Sequence, residues 1–115
     1  MWIKVNSATL TPKTIASGAS VEVTIKFKGQ AKVANTKVDV VFTITPNNHL
    51  TINGEGSEND TFTFGTTSAE YTKKVTIKNN HTPASQNSLN GAISIDGTAT
   101  VSNVKTGTNV GILYK

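Results

Sequence analysis

Residues 20–28 alternate without a break, with Val21, Val23, Ile25 and Phe27 separated by Glu22, Thr24, Lys26 and Lys28. A strict period of two sends successive side chains to opposite faces of a pleated ribbon. This segment is therefore read as a strand with one dry face and one wet face. The pattern returns at residues 37–45, where Val38, Val40, Phe42 and Ile44 share a phase, and at residues 71–78, where Tyr71, Val75 and Ile77 do. Strands dry on one side need a facing layer to cover them, which makes the chain antiparallel β. In the third segment Lys73 falls in the apolar phase. Near a strand end its stem would lie along the core while the ammonium reaches water.

The intervening segments place the turns. Ile3 and Val5 alternate with Lys4 and Asn6, and the apolar phase then slips to Ala8 and Leu10. A bulge or bend near Asn6 and Ser7 produces such a slip. Pro12 has no N–H to give a ladder, so the first strand ends or changes sheet there, and Ser17-Gly18-Ala19 turns into the second. Gly29 is read as the end of that second strand. Val41 interrupts the polar row of the next, which implies that part of its outer face is covered. Leu50 and Ile52 form a short strand ended by Asn53-Gly54, and Phe62 and Phe64 another, ended by Gly65. Residues 53–60 consist of glycine and oxygen-bearing side chains and read as an exposed tip. Residues 79–90, poor in apolar side chains and interrupted by Pro83, read as a long loop over one end of the domain. Ile93 and Ile95, then Ala99 and Val101, flank Asp96-Gly97, and a three-residue bulged hairpin there keeps both pairs in phase. Residues 105–108 make the last turn before Val110, Ile112 and Tyr114.

With 115 residues the chain fits one domain, residues 1–115, that can bury about two thirds of its unfolded surface. Cysteine is absent, which excludes a disulfide frame and a thiolate metal site and leaves stability to burial and hydrogen bonding. No apolar run is long enough to cross a bilayer, so membrane insertion is not expected. No charged-then-apolar leader opens the chain, as expected of a mature or excised domain or of a protein that needs none. The net charge of +4 comes entirely from lysine, without one arginine. Base readout and bidentate phosphate clamping rely on the planar guanidinium fork, so nucleic acid is not an expected partner. The lysines are scattered over strands and loops, where they serve solubility and blunt sheet edges.

Seven to nine short strands with turn signals between them and no helical segment give the expected fold, an all-β, antiparallel immunoglobulin-like β-sandwich. Ala-Thr-Leu-Thr-Pro at residues 8–12, Ile-Ala-Ser-Gly-Ala-Ser-Val-Glu-Val-Thr-Ile at 15–25 and Val-Asp-Val-Val-Phe at 38–42 carry a resemblance over the first third of the chain. The stretch resembles the opening of immunoglobulin-like and fibronectin-type-III-like modules of bacterial surface proteins and phage virions. The resemblance implies a non-catalytic structural or adhesive module, extracellular, on a cell surface or virion. Such a module acts by presenting loops and edge strands to a protein or surface polymer, and no functional residue transfers from it.

The residues themselves offer few rival chemistries. His49 and His81 sit in turn-rich segments with no nucleophile motif beside them and read as exposed turn histidines. Glu55 and Glu58 lack the rigid cleft that holds a glycosidase carboxylate pair. Within residues 53–60, Glu55, Glu58 and Asp60 crowd hard oxygen ligands, the chemistry calcium takes, although the spacing is not that of a dedicated calcium loop. The alternative to a structural module is a carbohydrate-binding one, calcium-assisted if that loop holds the ion. Its aromatic platform would come from Trp2 and Tyr114, because Tyr71 is in phase with the core. Lys73 raises one covalent question, an isopeptide crosslink to Asn103 or Asn109 of the kind that Gram-positive adhesive sandwiches form. That reaction needs a buried acidic neighbour, and no acidic residue is read as inward.

Overall fold

The alternating segments form strands and turn their apolar phases toward one another. The computed structural model describes residues 1–83 and 87–115. Its strands are β1 (Ile3–Thr11), β2 (Thr14–Ile15), β3 (Ser20–Ala31), β4 (Thr36–Thr45), β5 (Leu50–Ile52), β6 (Ser57–Phe64), β7 (Ala69–Asn79), β8 (Leu89–Ala99) and β9 (Lys105–Tyr114). A four-stranded sheet, β1-β3-β7-β5, packs on a five-stranded one, β2-β9-β8-β4-β6, as an immunoglobulin-like sandwich. The ladders are antiparallel except for β2 on β9, which is parallel. One link departs from the variable-type immunoglobulin order. After β4 the chain crosses first to the far edge of the other sheet as β5, then returns as β6 beside β4.

The turn chemistry of the first third behaves as its residues dictate. The β1–β3 register shifts between Asn6 and Thr9, with Ser7 at a φ of 54°, so the bulge absorbs the phase slip. Beyond Pro12 the chain leaves the four-stranded sheet and joins the other one as β2. Gly18, at a φ of 73°, makes the turn into β3 at a conformation that costs glycine least.

Val23, Ile25, Val40, Phe42, Val75 and Ile77 are each at most 2% exposed. Burial of such side chains, at about 1.5–3 kcal/mol each, is the main force holding the two sheets together. Toward one pole the core is aromatic. Phe27 packs edge-on to Phe42 and Phe62, with ring centroids 5.9 and 5.2 Å apart, and Tyr71 stacks on Phe27 at 5.7 Å.

Four expectations fail in whole or in part. β3 continues through Gly29 to Ala31, because the missing side chain at Gly29 makes room for the Phe64 ring. Residues 53–60 are largely exposed, as expected, but are not all tip. Only Asn53 and Gly54 turn, with φ of 49° and 79°, and β6 begins at Ser57 and pairs with β4 from Thr43 onward. β8 runs straight through Asp96-Gly97, since Gly97 shares the inward phase with Ile93, Ile95 and Ala99, and a Cβ there would lie 3.0 Å from Val38 and Val5. The hairpin turn comes later, at residues 100–103, where Val101 is 82% exposed, so residues 105–108 are already strand β9. Of the loop expected over residues 79–90, Asn79 belongs to β7 and Leu89 and Asn90 to β8. Residues 84–86 lie outside the described part.

Candidate functional site

The side of the sandwich where β6 faces β7 ends its apolar rows in charge. The inward phase of β6 runs Phe64, Phe62, Asp60, Glu58, and that of β7 runs Tyr71, Lys73, Val75. The Lys73 ammonium sits 3.2 Å from Asp60 Oδ2 and 3.7 Å from Glu58 Oε1. Its side chain is 18% exposed, against 29% for Glu58 and 45% for Asp60. The stem therefore covers core while the charge is met at the rim, as expected, although Lys73 stands in the middle of β7 and not near a strand end. The acids, read from sequence as part of a tip, lie on β6 in the phase of Phe62 and Phe64, reach the rim and supply the counter-charge there. A strand flanked by carboxylates that neutralise a lysine from the other sheet closes the seam without an apolar side chain.

This arrangement bears on two expectations. The calcium candidates do not converge: Glu55 lies in the turn bridged to Ile52, while the carboxylates of Glu58 and Asp60 are engaged by the Lys73 ammonium. Among the described residues no group of three His, Cys, Asp or Glu side chains could hold a metal ion. The amides considered for a crosslink are placed elsewhere. Asn109 is exposed on β9 opposite Ser94, in the phase opposite to buried Ile112 and Tyr114. Asn103 lies in the β8–β9 turn, its backbone N–H donating to the Ala99 carbonyl at 2.8 Å. Above the seam, the Tyr71 hydroxyl donates to the Thr63 carbonyl at 2.7 Å, and burial pushes its phenol pKa up.

The outer face of the five-stranded sheet carries a shallow trough of about 730 Å³, lined by Asp39, Val41, Thr61, Thr98, Asn103 and Lys105 among others. Val41 is half-buried there, which accounts for an apolar residue in the outer phase. Thr61 Oγ1 donates to Asp39 Oδ1 at 3.0 Å. No aromatic ring lines the trough, so it offers charge and hydrogen bonds but no surface on which a sugar ring could stack.

The proposed glycan platform is split between the poles. Trp2 is 43% exposed at the pole where Ile3 pairs with Ala31. Tyr114 is 3% exposed and pairs with Leu89 and Ile15 at the other pole, in a molecule 49 Å long. Tyr114 completes the core and cannot join Trp2 in one surface.

Around Tyr114 the structure assembles residues that sequence reasoning left as separate turns. Asn79, fully buried, donates from Nδ2 to the Ile15 and Lys115 backbone oxygens at 3.1 and 2.6 Å and accepts the His81 N–H at Oδ1. It thereby ties β2, the last residue after β9 and the segment after β7 together. His49 and His81, expected to be exposed turn histidines, are half-buried with ring centroids 4.3 Å apart. The signal was available in the phase of β7: Val75, Ile77, Asn79 and His81 are successive members of one inward row.

No family model matches the chain, and no curated protein matches it. Among solved structures it is similar to BcpA, the major pilin subunit of Bacillus cereus, at 9% identity and a TM-score of 0.44, over 97% of this chain and 39% of that one. The chain thus spans well under half the length of that pilin.

Proposed function

We propose that this chain is a non-catalytic structural or adhesive module that spaces and displays loops and edge strands on a bacterial cell surface or a phage virion. One observation carries the reading: the sandwich measures 49 × 20 × 18 Å, β1 enters it at the pole of Ala31, and β9 leaves it at the pole of Asn79. A rod entered at one pole and left at the other transmits position and load along its axis. Its longer edge strands, β1 and β6, leave backbone groups able to pair with a protein partner. Gold-labelled antibody against the domain, applied to intact cells and intact particles of its source, tests the proposal. Decoration of the outer surface is expected, and label reaching the antigen only after the envelope is opened would overturn it.

A further inference from the structure

The pole at which β9 ends gathers three side chains that the sequence scatters. His49 lies in the turn between β4 and β5, His81 two residues beyond β7, and Tyr114 at the end of β9. The two imidazole rings, 4.3 Å apart, each meet the Tyr114 ring, with centroids 5.5 and 5.6 Å away. His49 Nδ1 shares a hydrogen bond of 2.8 Å with Tyr114 Oη. His81 Nδ1 is buried and has no hydrogen-bond partner among the described residues. The backbone beneath is fixed on both sides: Asn80 N–H donates to the His49 carbonyl at 2.8 Å, and Ser17 Oγ donates to the His81 carbonyl at 2.6 Å.

We propose that this pole binds one divalent transition-metal ion of the zinc, copper or nickel class through the imidazoles of His49 and His81, with Tyr114 positioning His49. Imidazole nitrogen suits these ions, whereas calcium and magnesium take oxygen sets. A buried ring nitrogen without a partner is costly in a folded protein, and a metal ion supplies the partner that no described protein group does. With His49 Nδ1–H donating to Tyr114 Oη, the lone pair stays on Nε2 and the ring is held in one orientation, the arrangement that outer groups impose on metal-ligating histidines. The spacing is close. Two imidazoles sharing one ion at metal–nitrogen bonds of about 2.1 Å place their centroids about 4.6 Å apart at a right-angled corner and about 5.3 Å apart at a tetrahedral one, so from the observed 4.3 Å the rings part by about 0.3–1 Å to take the ion. Water completes the coordination, so the site is a clamp of modest affinity that staples the β4–β5 turn to the segment after β7. The inference is independent of the surface-module reading.

Thermal melts of the untagged protein test it, with zinc, copper(II) and nickel salts added one at a time against EDTA and against calcium. At tenfold excess over its dissociation constant, a bound ion should raise the midpoint by about 5 °C. Calcium should not. His49→Ala and His81→Ala should abolish the rise, and Tyr114→Phe should weaken binding by about tenfold or more. Since either histidine variant could loosen the pole, the wild-type protein supplies a second readout. Substoichiometric copper(II), being paramagnetic, should broaden the NMR signals of His49, His81 and Tyr114 before any others. No midpoint change with all three ions, a rise that survives both histidine variants, or broadening centred elsewhere would overturn the proposal.

Discussion

Gly29→Ala tests how tightly the aromatic pole is packed. A Cβ on Gly29 would stand 2.5, 2.6 and 2.9 Å from three atoms of the Phe64 ring, where ordinary carbon contacts are about 3.5–4.0 Å. The ring would have to retreat by about 1 Å to regain such a distance. It has nowhere to go. Phe64 is fully buried and leans on Tyr71 at 5.1 Å, which in turn stacks on Phe27. Overpacking of this kind costs about 1–3 kcal/mol. Gly29 is not among the positive-φ glycines, so alanine suits the backbone there and returns about 0.5–1 kcal/mol by restricting the unfolded chain. The net expectation is a loss of about 1–2 kcal/mol, or about 5–10 °C in Tm for a domain this size. Urea melts should show it in the midpoint with an unchanged slope. A double-mutant cycle isolates the cause: in a Phe64→Leu background, whose side chain lacks the ring atoms at issue, Gly29→Ala should be neutral or stabilising, a coupling of at least about 1 kcal/mol. A single variant within about 0.3 kcal/mol of wild type, or strictly additive substitutions, would refute the packing argument.

Three further outcomes follow from the seam between β6 and β7. Replacing Glu55, Glu58 and Asp60 together with alanine strands the Lys73 ammonium and should cost about 1 kcal/mol, equally in calcium and in chelator. A calcium-dependent rise in wild-type Tm that the triple variant loses would reverse the assignment of these carboxylates. Intact mass spectrometry should return the mass of the unmodified sequence, because the Lys73 ammonium is held by carboxylates and Asn109 points outward; a mass lower by one ammonia would show a crosslink. Tyr71 titrates above its ordinary value of 10.0 in the folded protein, through burial. The unfolded chain therefore ionises first as pH rises, so this contribution is complete below about pH 10 and is lost as pH climbs through the folded value. The difference between wild type and Tyr71→Phe should be constant at lower pH, where the hydroxyl keeps its bond to Thr63, and change only in that alkaline window; a difference growing toward acid pH would contradict the sign.

The period of two was legible wherever the alternation was apolar against polar, which is why β3, β4 and β7 and their inward residues could be read directly. It failed where the inward phase changed chemistry but not direction. Extending the row of Phe62 and Phe64 backward by twos reaches Asp60 and Glu58, and extending Val75 and Ile77 forward reaches Asn79 and His81. In each case the strand or its line continues while the side chains turn polar, and composition alone marks the segment as loop. Glycine misled for a related reason. Gly29 and Gly97 were read as punctuation, yet both lie inside strands, where the absence of a side chain admits Phe64 in one case and Val5 and Val38 in the other. What separates a glycine that turns from one that packs is the residue across the sheet or sandwich, and that neighbour is remote in sequence. The same holds for the pole: His49, His81 and Tyr114 each obey local rules, but their convergence depends on the β4–β5 crossing and on Asn79 tying Ile15 to Lys115. Polar residues that continue an inward row are thus positions at which this sandwich departs from a purely apolar core, and the Lys73 seam and the Asn79 and His81 side of the histidine pole are built from them.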